Sequence, residues 1–380
     1  MAWLLAICPL LVWAQQDELR TEFDQAQYAA YSTGDWTTVV RMYANGKGLA
    51  DFNFSHQRAA YAYLMIGRHR KAIGIFNRAL KDNPTSDFCL KWRYTALVMN
   101  GQRQEALLAG GKLPRHLATS IKVIRPKFLR SIVLGGGYRV SDTPKMLGSQ
   151  PLGWLQVGHE LGQRGSLRHG ISFISQSRYY EKVWQLAYFL QADVAISQRL
   201  TAGVMYSPSF WQTDKENGTD HSFGAHLRAR LGAVDLDVFG GAQRQNYIDS
   251  TDAAIGLSAT WYPWGNLKYS LTGTYSHHFL QGGSRPSLRI SASALLIRGL
   301  WLMPTFTLGN ERIAMEAGRF EPSNNSPDVL KRRVGASFLF NPKGTYAVSL
   351  SYLHEARKEA FTSIDINYHC IYAGFTYNFN

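Results

Sequence analysis

The chain has 380 residues, 45% hydrophobic, 13% aromatic and only 18% charged, with a formal net charge of +14. No stretch beyond the N-terminus approaches the length of an apolar membrane helix, and Cys8, Cys89 and Cys370 stand too far apart for a disulfide framework or a metal-ligand spacing. A mean hydropathy of −0.21 beside so many aromatics suits a chain that alternates apolar and polar residues, as a membrane β-barrel does.

Met1 to Trp13 are almost wholly apolar, and Val12-Trp13-Ala14 places small residues at the two positions that define a signal cleavage site. Residues 1–14 read as an export signal, although its n-region has no Lys or Arg, with Gln15 as the mature start. Leu5-Ala6-Ile7-Cys8 falls short of a lipoprotein box because Ile7 is bulky where a small residue is needed. The basic balance points to anionic lipid, an acidic polymer or simply soluble basic loops. No Lys/Arg run exceeds Lys331-Arg332-Arg333, and nucleic acid is not expected as a partner.

Residues 15–115 read as helical repeats and 116–130 as a linker. Gly67 and Gly101 are 34 apart, as are Ala72 and Ala106, while Gly34, Trp36, Val39 and Tyr43 precede Gly67, His69, Ala72 and Phe76 by 33. In the central repeat Ala60, Tyr63, Gly67, Ala72, Phe76, Ala79 and Pro84 fall at a spacing that lets two antiparallel helices meet. Small residues allow close approach, Tyr63 and Phe76 fill the groove, Gly67 ends one helix and Pro84 stops the next. This pattern resembles the tetratricopeptide repeat family over about 90 residues. The resemblance implies a concave face that binds a peptide or partner domain. The outer repeats are degenerate: Gly110 stands where a large aromatic is expected.

From Ser131 to the end the texture changes to period two. Tyr346, Val348, Leu350 and Tyr352 share one face and Ala347, Ser349 and Ser351 the other, as successive strand residues must. Phe223, Leu227 and Leu231 alternate in the same way with Ser222, His226, Arg228 and Arg230. The expected fold is an α-helical repeat domain followed by an antiparallel transmembrane β-barrel over 131–380. Its strands, about 14 in number, fall near 131–140, 152–161, 167–177, 183–196, 200–211, 221–231, 234–243, 253–262, 267–278, 287–296, 299–308, 331–340, 345–354 and 365–379. Long connections (141–150, 212–220, 244–252, 279–286, 309–330, 355–364) alternate with short ones, among them Asn341-Pro342-Lys343-Gly344 with its turn chemistry.

Ile371, Ala373, Phe375, Tyr377 and Phe379 alternate to the chain end. Tyr372, Gly374, Tyr377 and Phe379 resemble the terminal signal read by the barrel-assembly machinery of Gram-negative outer membranes. The resemblance implies that machinery as an insertion partner, outer-membrane lipid around the barrel and a periplasmic helical domain. Repeats before a terminal barrel are similar in layout to the YaiO-type outer-membrane barrel and to the polysaccharide exporters.

No catalytic motif, metal site or cofactor site is expected. His277-His278 are strand neighbours that point to opposite faces, and the Asn217-Gly218-Thr219 sequon falls in an expected loop. Arg168, Arg228, Arg230, Lys268, Arg289 and Arg333 are expected to point into the lumen against Asp193, Asp235 and Asp237. They form either an internal ion-pair network or a basic conduit for an anionic solute or polysaccharide. The leading reading is a non-enzymatic accessory or assembly subunit of an envelope machine. An export or diffusion pore stands second, and a barrel-embedded lipid-modifying enzyme third.

Overall fold

The computed structural model describes residues 2–46, 48–179, 181–280, 283–311, 315–316, 319–320 and 328–379, with side chains from Asp17 onward except at 315–316 and 319–320. The chain divides into two compact units, residues 1–124 with 264–267, and residues 125–263 with 268–380.

The first unit is helical: α1 (Ala2–Ser32), α2 (Trp36–Asn45), α3 (Asn53–Met65), α4 (His69–Asp82), α5 (Asp87–Met99), α6 (Arg103–Gly110) and α7 (Arg115–Ser120). Among the described residues no helix is long and apolar enough to cross a membrane. The backbone of α1 runs unbroken through the expected export signal, whose side chains lie outside the described ones.

Three helix pairs repeat one turn. Gly34, Gly67 and Gly101 all take positive φ (76°, 76° and 65°). In each turn the next amide donates back five residues, Asp35 to Ala30, Arg68 to Tyr63 and Gln102 to Leu97, at 2.9, 2.8 and 3.0 Å. This is the glycine-dependent helix stop in which a left-handed residue lets the chain reverse while satisfying orphan carbonyls. The 33- and 34-residue spacing of those glycines therefore has a direct backbone cause. Ala60, Tyr63, Ala72, Phe76 and Ala79 are all buried in one core with Val39 and Cys89. Pro84 lies in the turn after α4.

At Gly110, where an aromatic was expected, a Cβ would collide with Val123. Ile121, Val123 and Ile124 pack on Tyr94, Leu97, Ala106 and Ala109, and the Ile124 amide donates to the Tyr94 hydroxyl at 2.7 Å. The segment read as linker thus supplies the apolar bulk that the third repeat lacks, and the helical unit runs to Ile124.

His56 carries a pH dependence. Its Nδ1 is 2.9 Å from the Tyr43 hydroxyl and its Nε2 is 3.2 Å from Asp51. Burial pushes the imidazole below its ordinary value of 6.5, and Asp51 only partly opposes this. A histidine depressed in the folded state leaves the unfolded chain binding more protons at acid pH. Stability is full above 6.5 and falls as pH drops below it. Thermal melting followed by helix signal is expected to shift down between about pH 7 and about pH 5, and His56→Gln to flatten that dependence. A wild-type melt unchanged over this range would refute the assignment.

The second unit is a closed barrel. Its strands are β1 (Ser131–Ser141), β2 (Gln150–Leu161), β3 (Gly165–Arg178), β4 (Glu181–Ala195), β5 (Leu200–Gln212), β6 (Asn217–Leu231), β7 (Val234–Gln245), β8 (Ser250–Trp261), β9 (Tyr269–Leu280), β10 (Gly283–Ile297) and β11 (Leu300–Glu311). After a two-stranded hairpin, β12 (Met315–Glu316) and β13 (Arg319–Phe320), come β14 (Val329–Phe340), β15 (Tyr346–Lys358) and β16 (Asp365–Asn378). Fourteen strands form the wall, each antiparallel to its neighbours; β11 pairs with β14, and β1 closes the circle on β16 with Ser131 opposite Asn378.

The outer face is the greasy one. Tyr346, Val348, Leu350 and Tyr352 are exposed, as are Phe223, Leu227 and Leu231, whereas Ser222, His226 and Ala347 are buried inside. A closed wall leaves no unpaired sheet edge, and its apolar exterior replaces water contacts with lipid, so the barrel is a transmembrane one. In the Asn341–Gly344 turn the Asn341 side chain accepts from the Gly344 amide at 2.7 Å, and Gly344 takes φ 76°.

The connections differ from expectation at one end of the barrel. The expected long loop 279–286 shrinks to residues 281–282, and the connection near 178–182, whose length the sequence leaves open, is two residues. Strand β6 starts at Asn217, which pairs with Gln212, so the Asn217-Gly218-Thr219 sequon lies in a strand. The cause is that backbone ladders need no apolar side chains. Pairing continues past the greasy belt through polar residues that read as loop. Of the expected loop 309–330, residues 312–314, 317–318 and 321–327 lie outside the described ones.

Candidate functional site

The lumen collects the inward residues of every strand. Toward the short-turn end, Arg168 donates to Gln191 at 2.7 Å and Gln191 donates on to Asp193 at 2.9 Å. Asp193 lies 2.8 Å from His226 Nε2 although a strand separates them. The strand between carries Gly203, level with both, where any Cβ would collide with the two side chains. Arg228 Nε donates to Asp237 at 2.8 Å, and Arg230 stands 4.0 Å from Asp235.

Toward the longer loops the charges are more deeply buried. Arg333 and Arg357 each donate through Nε to Glu355, at 2.9 and 2.8 Å, and Glu355 is fully buried. Arg289 donates to Glu311 at 2.9 Å, and Ser287 binds the same carboxylate at 2.7 Å. Arg139 donates to the Tyr372 hydroxyl at 2.7 Å and to Gln150 at 3.1 Å. Arg178 holds both Asp328 and Glu359. Glu359 opens the loop after β15. Burial alone would raise its carboxyl, but the hydrogen bonds from Arg178 and the Thr362 amide outweigh that and hold it below the usual range.

The structure therefore brings Arg168, Arg228, Arg230, Arg289 and Arg333 to the barrel interior, but not Lys268. That residue is exposed and precedes β9, because the β9–β10 ladder ends at the Tyr269–Ala294 pair. Inside, Asp328 and Glu359 pair with Arg178, Glu311 with Arg289, and Glu355 with Arg333 and Arg357; all four acids were read as loop residues. At the chain end, Tyr372 and Gly374 face inward and Tyr377 faces outward, with its ring 4.9 Å from that of Phe379.

His277 and His278 part as expected: His278 is buried inside and His277 packs outward on Phe279. Inside, the Ser276 hydroxyl lies 2.9 Å from His278 Nε2, and both side chains are more than nine-tenths buried. Among the described residues no group of three or more metal-ligand side chains occurs. Cys89 and Cys370 are both buried and unbridged.

The lumen also holds a recess. With a cavity volume of about 50 Å³, it lies between the inner faces of β2 to β7, near their ends at the longer loops. Four glutamines line it, Gln150, Gln176, Gln185 and Gln245, with Ile174 and Val183 as its apolar wall. Arg178, Asp220, Trp211 and Tyr247 complete the lining. Trp211 donates its indole N–H to Asp220 at 3.2 Å and meets Tyr247 edge-on at 4.9 Å. Sequence reasoning missed this set because Trp211 closes an expected strand while Asp220, Gln245, Tyr247 and Gln150 fell in expected loops. The in-phase continuation of polar residues past each strand end was the available signal.

No protein-family model and no curated protein matches the chain. Solved structures match the barrel. The toluene transporter TbuX of Ralstonia pickettii shares 9% identity at a TM-score of 0.48, covering 66% of this chain and 90% of that one. The toluene transporter TodX of Pseudomonas putida shares 9% at 0.42, covering 71% and 92%. The Acinetobacter baumannii outer membrane protein Omp33 shares 12% at 0.37, covering 67% and 100%. At such identities the likeness extends to the barrel fold alone.

Proposed function

We propose that the chain is a non-enzymatic outer-membrane pore of restricted bore, in which the recess is the solute path at the long-loop end. The observation that carries this reading is the recess itself: space bounded by polar side chains within a lumen otherwise crossed by ion pairs. An even strand number returns both ends of the barrel to one side, where the connections span two to seven residues, while the longest connection, between β11 and β14, lies at the other. This supports a periplasmic helical unit and an insertion route through the barrel-assembly machinery. The balanced interior does not favour a basic conduit. Arg178, Arg228, Arg289, Arg333 and Arg357 each rest on a carboxylate.

Purified protein in a planar bilayer is expected to give small, weakly ion-selective currents. Glu359→Ala should raise them by removing one of the two carboxylates on Arg178 and loosening the loop that Glu359 caps through Phe361 and Thr362. A correctly folded barrel that stays silent as wild type and as this variant would overturn the pore.

A second role belongs to the helices. Tyr31, Trp36, Tyr61 and Trp92 form a half-buried run of edge-on rings with centroids 5.5, 5.4 and 4.8 Å apart. The run supports the tetratricopeptide-like reading, in which repeats present aromatic side chains to a peptide or domain of an envelope partner.

A further inference from the structure

A second recess, of about 620 Å³, lies in the outer face of the wall, where β10 and β11 part toward the longer loops. The ladder between these strands ends at Ser287 opposite Gly309. Beyond that pair β10 runs on to Gly283 against β9 alone, and β11 shifts register against β14 between Leu308 and Glu311. Two residues mark the parting. Gly309 takes φ 132°, a conformation that L side chains rarely adopt, and any Cβ there would strike Ser287 and the Pro286 carbonyl. Pro286 has no amide N–H to give to a ladder. A parted wall is unstable in hydrocarbon, because its backbone polar groups would go unsatisfied there. The recess therefore sits at the depth of lipid headgroups, where the apolar belt ends.

Its lining has two chemistries. Tyr275, Leu288 and Leu308 are half exposed on the outer face and continue the apolar belt. Arg285 and Lys331 lie beside them in the same lining. Arg332, exposed and opposite Leu308, adds a third cation to this face. Among the described residues the acid that answers them is Asp365, 2.5 Å from Lys331 Nζ. Both members of that pair are solvent-accessible, so a phosphate can exchange for the carboxylate at little cost. Arginine beside lysine suits a phosphate, which the guanidinium grips with two parallel N–H groups. We infer that this recess binds an anionic phospholipid, its phosphate on Arg285 and Lys331 and the start of its acyl chains along Leu288, Leu308 and Tyr275. A zwitterionic lipid brings its own cation to the same rim and is disfavoured. Free phosphate lacks the part that covers the apolar floor. The assignment of this lipid to the cell-surface leaflet rests on the orientation proposed above; binding as such does not.

The test is native mass spectrometry of the full-length protein, folded in neutral detergent and titrated with dioleoyl phosphatidic acid. Dioleoyl phosphatidylcholine, with the same chains, and inorganic phosphate are the comparison probes. Phosphatidic acid is expected to be retained at concentrations about tenfold below those that phosphatidylcholine needs, and inorganic phosphate not at all. Arg285→Ala combined with Lys331→Ala should remove most of this preference, whereas Asp365→Asn, which releases Lys331, should strengthen it. Arg298→Ala should leave it unchanged. That exposed arginine sits in the turn between β10 and β11 at the opposite rim, so it separates a local site from the general attraction of a basic protein. Heat-modifiable gel migration is the folding check. Equal retention of the two lipids, a full preference in the folded double variant, or an equal loss with Arg298→Ala overturns the inference. So does retention of inorganic phosphate as tight as that of the lipid, which would mark a plain anion site. Bilayer currents in phosphatidylcholine separate this claim from the pore. A conducting barrel without the lipid preference loses the lipid site and keeps the pore. A silent barrel with the preference keeps the lipid site and loses the pore.

Discussion

Glu355→Ala is expected to destabilise the barrel by about 3–5 kcal/mol. Glu355 has no exposed surface and is shared by two arginines, Arg333 opposite it on β14 and Arg357 two residues on. Removing the carboxylate leaves two buried guanidinium groups facing each other across a cavity, and neither can lose its proton to escape the cost. Charged groups stranded in this way cost far more than the pairs contribute when intact, because desolvation has already been incurred on folding. Urea unfolding followed by loss of heat-modifiable migration measures the difference. Adding Arg333→Met and Arg357→Met to the alanine variant should recover most of the loss, since an apolar replacement of the whole group carries no stranded charge. A Glu355→Ala barrel as stable as wild type would mean that water or another acid already serves these arginines.

The same residues show where the sequence was legible. Period two exposed the outward faces, because lipid demands an apolar side chain at every second position and the wall has no edge to confuse the pattern. It also exposed Arg289 as inward, between outward Leu288 and Ile290, and Arg333, in phase with the inward face opposite Val334. Their partners were hidden. Glu355 and Glu311 lie at strand ends beyond the apolar belt, where both faces are polar and the alternation loses contrast. Glu311 further depends on an irregular register between Leu308 and Glu311 against β14. What fixes those positions is cross-strand pairing over separations that no local pattern reports. Trp211 and Gln245 come to one recess for the same reason. In the helical unit the period of Gly34, Gly67 and Gly101 was readable because each turn needs a left-handed residue, whereas the substitution of Val123 for a missing aromatic at Gly110 was not.

Phe76→Ala is expected to destabilise the helical unit by about 3–5 kcal/mol. Phe76 is fully buried among Ala60, Ala72 and Ala79, the small residues that let α3 and α4 approach, and its ring also lies near Phe88 of α5. Those alanines cannot move in to fill the space, because the helix backbones they cover already set the separation, so most of the cavity persists. A loss of that size is a large part of the roughly 5–15 kcal/mol that keeps a domain folded. Limited proteolysis should therefore cut within residues 15–124 far faster than in wild type, while the barrel keeps its heat-modifiable migration and its currents. If the helices serve an envelope partner, cells carrying this variant lose the partner-dependent phenotype with the pore intact. Loss of barrel migration in the same variant would show that the two units fold as one, and unchanged proteolysis would show that Phe76 is not the keystone of its repeat.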